Sequence, residues 1–245
     1  MRKSWLFFAA IAVATSLIAP ETARAELPSI QSDDRILGDP KAPITIFEYA
    51  SLTCPHCAAF DEETLPKVKA EWIDTGKAKL VFRDYPLDQS SVLAATIARC
   101  FPNDKFFPFI DTLFKSQRSW AMSSNVKGAL ARTARLGGMS QDAFDKCTAD
   151  QKLADSVTVS RLIAQNRYGI DSTPTFFVNG VKVVGDLPYD EFVKYLNGGK
   201  AEAIPGPTTP AASTSTAAMP TANDDAQLGL LDRVKRWFGT IMSRT

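Results

Sequence analysis

The stretch Ile44-Thr45-Ile46-Phe47-Glu48-Tyr49-Ala50-Ser51-Leu52-Thr53-Cys54-Pro55-His56-Cys57 decides the architecture. Residues 44–49 are dense in β-branched and aromatic side chains and are bounded by Pro43 and Ser51, which predicts a buried strand. A Cys-x-x-Cys pair follows at once and opens a helix from about Pro55 to Asp74, with Pro66 interrupting and kinking it. A thiol at a helix N-terminus faces unpaired backbone N–H groups and the positive end of the helix dipole, both of which favour thiolate. His56 adds a second cationic or hydrogen-bonding influence on the same sulfur. Two intervening residues let one helical turn bring the sulfurs together. Cys54 is therefore the candidate nucleophile and Cys57 its buried resolving partner. A purely structural bridge and half of a metal site are the other readings. Zinc would need two more soft ligands, and Cys100 and Cys147 form no second Cys-x-x-Cys.

Downstream, Lys79-Leu80-Val81-Phe82-Arg83 reads as the next strand. From about Gln89 to Arg167 the period changes to helical. Val92, Ala95, Ile97 and Ala98 form one face, and Phe106, Ile110, Leu113 and Phe114 another. Leu130, Ala134 and Leu136 precede a Gly137-Gly138 stop, and Leu153, Val157, Leu162 and Ile163 mark a last long helix. Phe106, Phe107 and Phe109 read as core rather than as a substrate groove. Strands return at residues 175–178 and 181–184, joined by Asn179-Gly180, a strong hairpin signal. A final helix opens at Leu187-Pro188-Tyr189, runs to Leu196 and closes at Gly198-Gly199. Strand–helix–strand, a helical block of roughly 75 residues, then hairpin and helix describe an α/β layout: one sheet with a helical cap.

The chain has 245 residues and 45% hydrophobic content, ample for a sizeable core. Its formal net charge of +1 argues against nucleic acid as a partner, since that needs a basic footprint. The single histidine, His56, removes most zinc enzymes and histidine relays. Residues 1–25 read as a signal peptide: Arg2 and Lys3, an apolar run from Trp5 to Ala19, then Ala23-Arg24-Ala25. Fifteen apolar residues are short for a bilayer span, which needs about 20. Cleavage after Ala25 would leave 25 basic against 26 acidic residues, in a compartment where disulfides persist. A bacterial periplasm fits best.

Residues 26–88 and 169–200 are thus the two halves of one sheet domain, with 89–168 inserted. Residues 26–41 read as a short polar lead-in. Residues 201–226, rich in Pro, Ala, Ser and Thr, read as a flexible linker. Residues 227–245 carry Leu230, Leu231, Val234, Trp237, Phe238, Ile241 and Met242 at helical spacing, with Arg233, Lys235 and Arg236 off that stripe. Such an amphipathic helix suits a membrane surface, a partner, or docking on the parent domain.

Cys54-Pro55-His56-Cys57, the preceding Phe47-Glu48-Tyr49 strand, Thr173-Pro174 and the helical insertion together resemble DsbA, the thioredoxin-fold thiol:disulfide oxidoreductases of the bacterial envelope. The resemblance covers roughly residues 36–198. It implies a thioredoxin fold with an all-helical domain between its β-α-β and β-β-α halves, and a redox pair at Cys54 and Cys57 tuned by Pro55 and His56. It also implies that Glu48 assists proton transfer from Cys57, an exposed strand-end carboxylate being the other reading. Pro174 matches a cis-proline loop that lies against the redox pair and pairs with substrate backbone. Thr173 departs from the Val common before that proline and is more familiar from isomerase and reductase relatives, which leaves redox direction and partner choice open.

Cys100 and Cys147 read first as a structural disulfide, with a second redox centre or two free thiols as alternatives. Closing a loop of about 48 residues would stabilise by about 4 kcal/mol in the chain-entropy model, less any strain. Some DsbA-like proteins carry such an extra bridge.

The resemblance implies an exported dithiol oxidase acting on reduced, newly exported polypeptides, needing no cofactor or metal beyond its cysteine pair, and reoxidised by a DsbB-type membrane partner. A disulfide isomerase or reductase is the alternative enzyme; such isomerases resemble dimers joined by an N-terminal domain, for which residues 26–41 leave no room. A non-catalytic envelope adaptor and a metal-delivery module are weaker alternatives.

Overall fold

The computed structural model describes residues 26–199. Residues 1–25, the linker and the C-terminal amphipathic stretch lie outside the described residues. Five strands form one sheet in the order β1-β3-β2-β4-β5: β1 Arg35–Leu37, β2 Ile44–Ala50, β3 Ala78–Asp84, β4 Thr175–Val178 and β5 Val181–Val184. β2 and β3 run parallel, with Ile44 opposite Ala78 and Ala50 opposite Asp84, while β1, β4 and β5 add antiparallel. A parallel pair requires a crossover. Residues 55–73 supply it, as α1 (Pro55–Ala59), a π-helical turn, α2 (Leu65–Val68) and a second π-helical turn. The kink expected at Pro66 is thus taken up by π turns on either side. Pro66 lacks an N–H, and the Leu65 N–H reaches back to Phe60 O, five residues away.

β1 was not expected. Its three residues are too few to show a period, and it forms because Leu37 lies opposite Leu80 and Arg35 opposite Phe82. The lead-in is further tied down by Asp34, whose carboxylate accepts from Arg83 at 2.7 and 2.9 Å.

Between β3 and β4 come six helices: α3 Gln89–Arg99, α4 Asn103–Lys115, α5 Gln117–Ala121, α6 Val126–Leu136, α7 Gln141–Ala149 and α8 Gln151–Tyr168. Asp88, Asn125, Ser140 and Asp150 cap α3, α6, α7 and α8 by accepting a backbone N–H three residues on. The expected apolar face of α4 is buried, as is that of α3 apart from the half-buried Val92; Phe106 and Phe109 are core residues and Phe107 is half-buried against them. On α8 the stripe holds in part: Val157 is buried and Leu153 half-buried, but Leu162 and Ile163 are exposed, and Ala164 and Tyr168 pack with Phe47 and Tyr49 instead. Leu136, at the last turn of α6, is also exposed. Asn179 and Gly180 both adopt positive φ (51° and 79°), the left-handed geometry a two-residue hairpin needs. α9 (Tyr189–Leu196) ends the described chain, with Pro188 at its N-cap.

Because side chains alternate across a strand, β2 divides the core. Ile46 and Ala50 join Phe60, Phe82, Phe106 and Phe176 on one face, while Phe47 and Tyr49 pack with Ala164 and Tyr168 of α8 on the other. Glu48 therefore belongs to the face that carries Cys54 and Cys57.

Candidate active site

The loop 51–54 leaves the C-terminal end of β2, and Cys54 becomes the N-cap of α1 in extended conformation with Pro55 at the first turn. Both cysteines are free thiols, so the pair is described in its reduced state. Cys54 is 5% exposed and Cys57 fully buried, so of the two only the first can meet an incoming sulfur. The Cys54 thiol is pulled down to about 5. The hydrogen bond from the Cys57 thiol is the largest cause, followed by the Thr173 hydroxyl and the backbone N–H groups of Cys57 and His56, all working against burial. Cys57 moves the other way: burial pushes its thiol well above the ordinary value, and the Cys54 sulfur adds to this. The two sulfurs are thus polarised into a stable thiolate and a stable thiol.

The Thr173–Pro174 peptide is cis and faces the pair, with Thr173 O 3.4 Å from Cys54 Sγ. The Thr173 Oγ1 is buried with no hydrogen-bond partner within ordinary geometry among the described residues. Pro174 O accepts from Gly185 N at 2.9 Å, which fixes the loop to the end of β5.

His56 projects outward. Its Nδ1 lies 3.1 Å from both carboxylate oxygens of Asp186, in the loop after β5. Asp186 raises the imidazole above its ordinary value first, and Cys54 does so less. The principal lowering of Cys54 at this residue comes from its backbone N–H, not its ring.

Glu48 is 2% exposed in the middle of β2, so it is not an exposed strand-end group. Burial holds its carboxyl well above the usual range, and the charge of Asp61 adds to the shift. Both carboxyls line one cavity of about 380 Å³ between the sheet and α4, walled by Leu65, Phe82, Phe107 and Ile110. Asp61, with Oδ2 buried and unpartnered among the described residues, is pushed up to about 7, chiefly by burial and then by Asp111.

The structure therefore brings Cys54, Cys57, His56, Pro55, Glu48, Thr173 and Pro174 together. Cys100 and Cys147 stand apart: they form a disulfide joining the C-terminus of α3 to α7. Three residues near the redox pair escaped sequence reasoning: Asp61, Asp186 and Gln117. Asp61 could have been found from its spacing, four residues after Cys57 on the same helical face. Asp186 and Gln117 carried no local signal. Among the described residues no group of three His, Cys, Asp or Glu is placed to hold a metal ion.

Residues 31–198 match the family model described as Thioredoxin. The chain belongs to the thioredoxin family. Within it the chain is DsbA-like. It is 37% identical to Wolbachia pipientis alpha-DsbA1 in its crystal structure, covering 70% of this chain and 92% of that one at a TM-score of 0.65. It is 25% identical to oxidised BdbD from Bacillus subtilis, covering 72% and 97% at a TM-score of 0.64. A putative protein-disulfide oxidoreductase of Rickettsia bellii is 32% identical over 154 residues, 62% of this chain and 60% of that protein. The chain thus spans less than two thirds of that relative's length.

Proposed function

We propose that the protein is an exported thiol:disulfide oxidoreductase that passes the Cys54–Cys57 disulfide to reduced polypeptides. The observation that carries this reading is the opposed shift of two sulfurs one helical turn apart: Cys54 about 5, Cys57 well above ordinary. In the oxidised protein a client thiolate attacks Cys54 Sγ. The Cys54–Cys57 bond breaks, a client–Cys54 mixed disulfide forms, and Cys57 leaves with the electron pair and takes up a proton. Glu48, buried and with its carboxyl pushed up by that burial, is the group we assign to hold or supply that proton. A second client thiolate then attacks the client sulfur, and Cys54 leaves as a thiolate, for which its low pKa suits it. The client has lost two electrons and the cysteine pair has gained them. Thr173 and Pro174 are assigned to the client backbone, and Pro55 and His56 to tuning.

An external oxidant must reset the pair, and the DsbA likeness favours a DsbB-type membrane partner. The same likeness and residues 1–25 support export to the periplasm; no helix of the described residues is long and apolar enough to cross a membrane. Residues 227–245 would then contact a membrane surface or a partner.

Oxidation of a reduced, denatured test protein checks the reading. Wild type is expected to be active, Cys54→Ser inactive, and Cys57→Ala to accumulate client mixed disulfides. Activity surviving in Cys54→Ser would overturn it. Acid trapping of the pair in cells then separates oxidase from isomerase or reductase: a mostly oxidised pair supports the former, a mostly reduced pair the latter.

A further inference from the structure

The loop bearing the nucleophile is held by the helical insertion. Ser51 Oγ and Ser91 Oγ are 2.9 Å apart, Leu52 N donates to Ser91 Oγ at 3.1 Å, and Thr53 Oγ1 donates to Asp88 Oδ2 at 2.8 Å. Ser91 and Asp88 belong to the start of α3. Two carbonyls of the same loop converge on one further side chain: Gln117 Nε2 donates to Leu52 O at 2.9 Å and to Cys54 O at 3.0 Å. Gln117 is the first residue of α5 and is 7% exposed. Its amide carries two hydrogens, one for each carbonyl.

The Cys54 carbonyl also accepts the first helical bond, from Ala58 N at 3.2 Å. Its orientation fixes the peptide plane at which α1 begins. The N–H groups of His56 and Cys57, which hold the Cys54 thiolate, lie in the turn that follows. The geometry points to Gln117 as a positioning residue that sets the ionisation of Cys54 from the helical insertion, and this rests on the exchange reading above. The chemistry explains the residue type. A Met of similar length has no donor, so the Leu52 carbonyl loses its Gln117 bond and the Cys54 carbonyl keeps only Ala58 N. A Glu would set a carboxylate against two carbonyl oxygens.

The test uses the full chain with Cys100–Cys147 intact, comparing wild type, Gln117→Met and Gln117→Asn, with Leu130→Ala as a control that destabilises the insertion core elsewhere. Thiolate absorbance is followed against pH, and the equilibrium with glutathione is measured alongside. In Gln117→Met the Cys54 midpoint is expected to rise by on the order of one pH unit, and the equilibrium to move about tenfold toward the protein disulfide, because the reduced form loses thiolate stabilisation. Gln117→Asn, which keeps the donors but shortens their reach, should shift in the same direction, and it decides the matter should Gln117→Met not fold. Leu130→Ala should lower the melting temperature without moving the midpoint. A Gln117 variant that melts earlier yet titrates like wild type overturns the inference. Wild-type Cys54 titrating as an ordinary thiol would instead remove the exchange reading on which it stands.

Discussion

Nδ1 of His56 sits 3.1 Å from each carboxylate oxygen of Asp186, 130 residues along the chain. The only imidazole of the protein therefore has a counter-ion of its own, supplied by the loop after β5. Its raised pKa means that the ring stays cationic above its ordinary value of 6.5 and loses its charge as pH rises through the raised one.

Asp186→Asn removes that support. The imidazole titration, read by NMR without overlap from any other histidine, should move down toward the ordinary value. The side chain of His56 is 71% exposed, so folding stability should change by less than about 1 kcal/mol. An unmoved His56 titration would show that the pair is not formed in solution.

The depressed Cys54 thiol makes the stability of the reduced protein depend on pH relative to the oxidised one. A group whose folded pKa is lowered contributes stability that is fully present above its unfolded value, near 9, and is lost as pH falls through about 5. Between these limits the unfolding free energy of the reduced form should climb relative to that of the oxidised form by at most about 1.4 kcal/mol per pH unit, and its melting temperature should rise with it. Calorimetry of both forms across this window checks the slope; a flat difference would count against the thiolate. Iodoacetamide alkylation of Cys54 should stay fast down to about pH 5 and fall below it.

Glu48 has the opposite sign. Its carboxyl is raised by burial, so its favourable state is complete below the unfolded value and is lost as pH rises through the folded one. Glu48→Gln, which is neutral throughout, should be more stable than wild type at pH 8 and about equal at pH 4, as urea titrations would show. If Glu48 manages the proton of Cys57, the same variant should prolong client mixed disulfides by about 10- to 100-fold in acid-quenched turnovers.

Cys100 is exposed and Cys147 is 5% exposed. Replacing both by Ser opens a link across 47 residues and should cost about 4 kcal/mol of stability on the chain-entropy argument, measurable by denaturant titration. Loss of only a few tenths would mean the insertion is already ordered by its core.

Much of this molecule was legible in one dimension. The Cys-x-x-Cys placement at a strand end, the Asn179-Gly180 turn and the helical block between two strand pairs each rest on dihedral preference or on the period of apolar residues, which are properties of adjacent positions. β1 was not legible, since its three residues pair only because β3 offers an edge. The α8 stripe misled for a related reason: apolar spacing marks a face, but only packing decides whether that face is covered, and Leu162 and Ile163 are left outside.

The chemistry of the redox pair divides along the same line. Cys54 and Cys57, their order, and the turn that joins them are dictated locally, because a helix N-terminus is formed by consecutive residues. The electrostatic setting is not local: the Glu48 carboxyl is pushed up because strands and helices enclose it, the His56 imidazole is raised because of Asp186, and the Cys54 carbonyl is held by Gln117. Such partners lie 63 to 130 residues apart, and the distance and burial that govern a charge or a hydrogen bond exist only once the chain has folded.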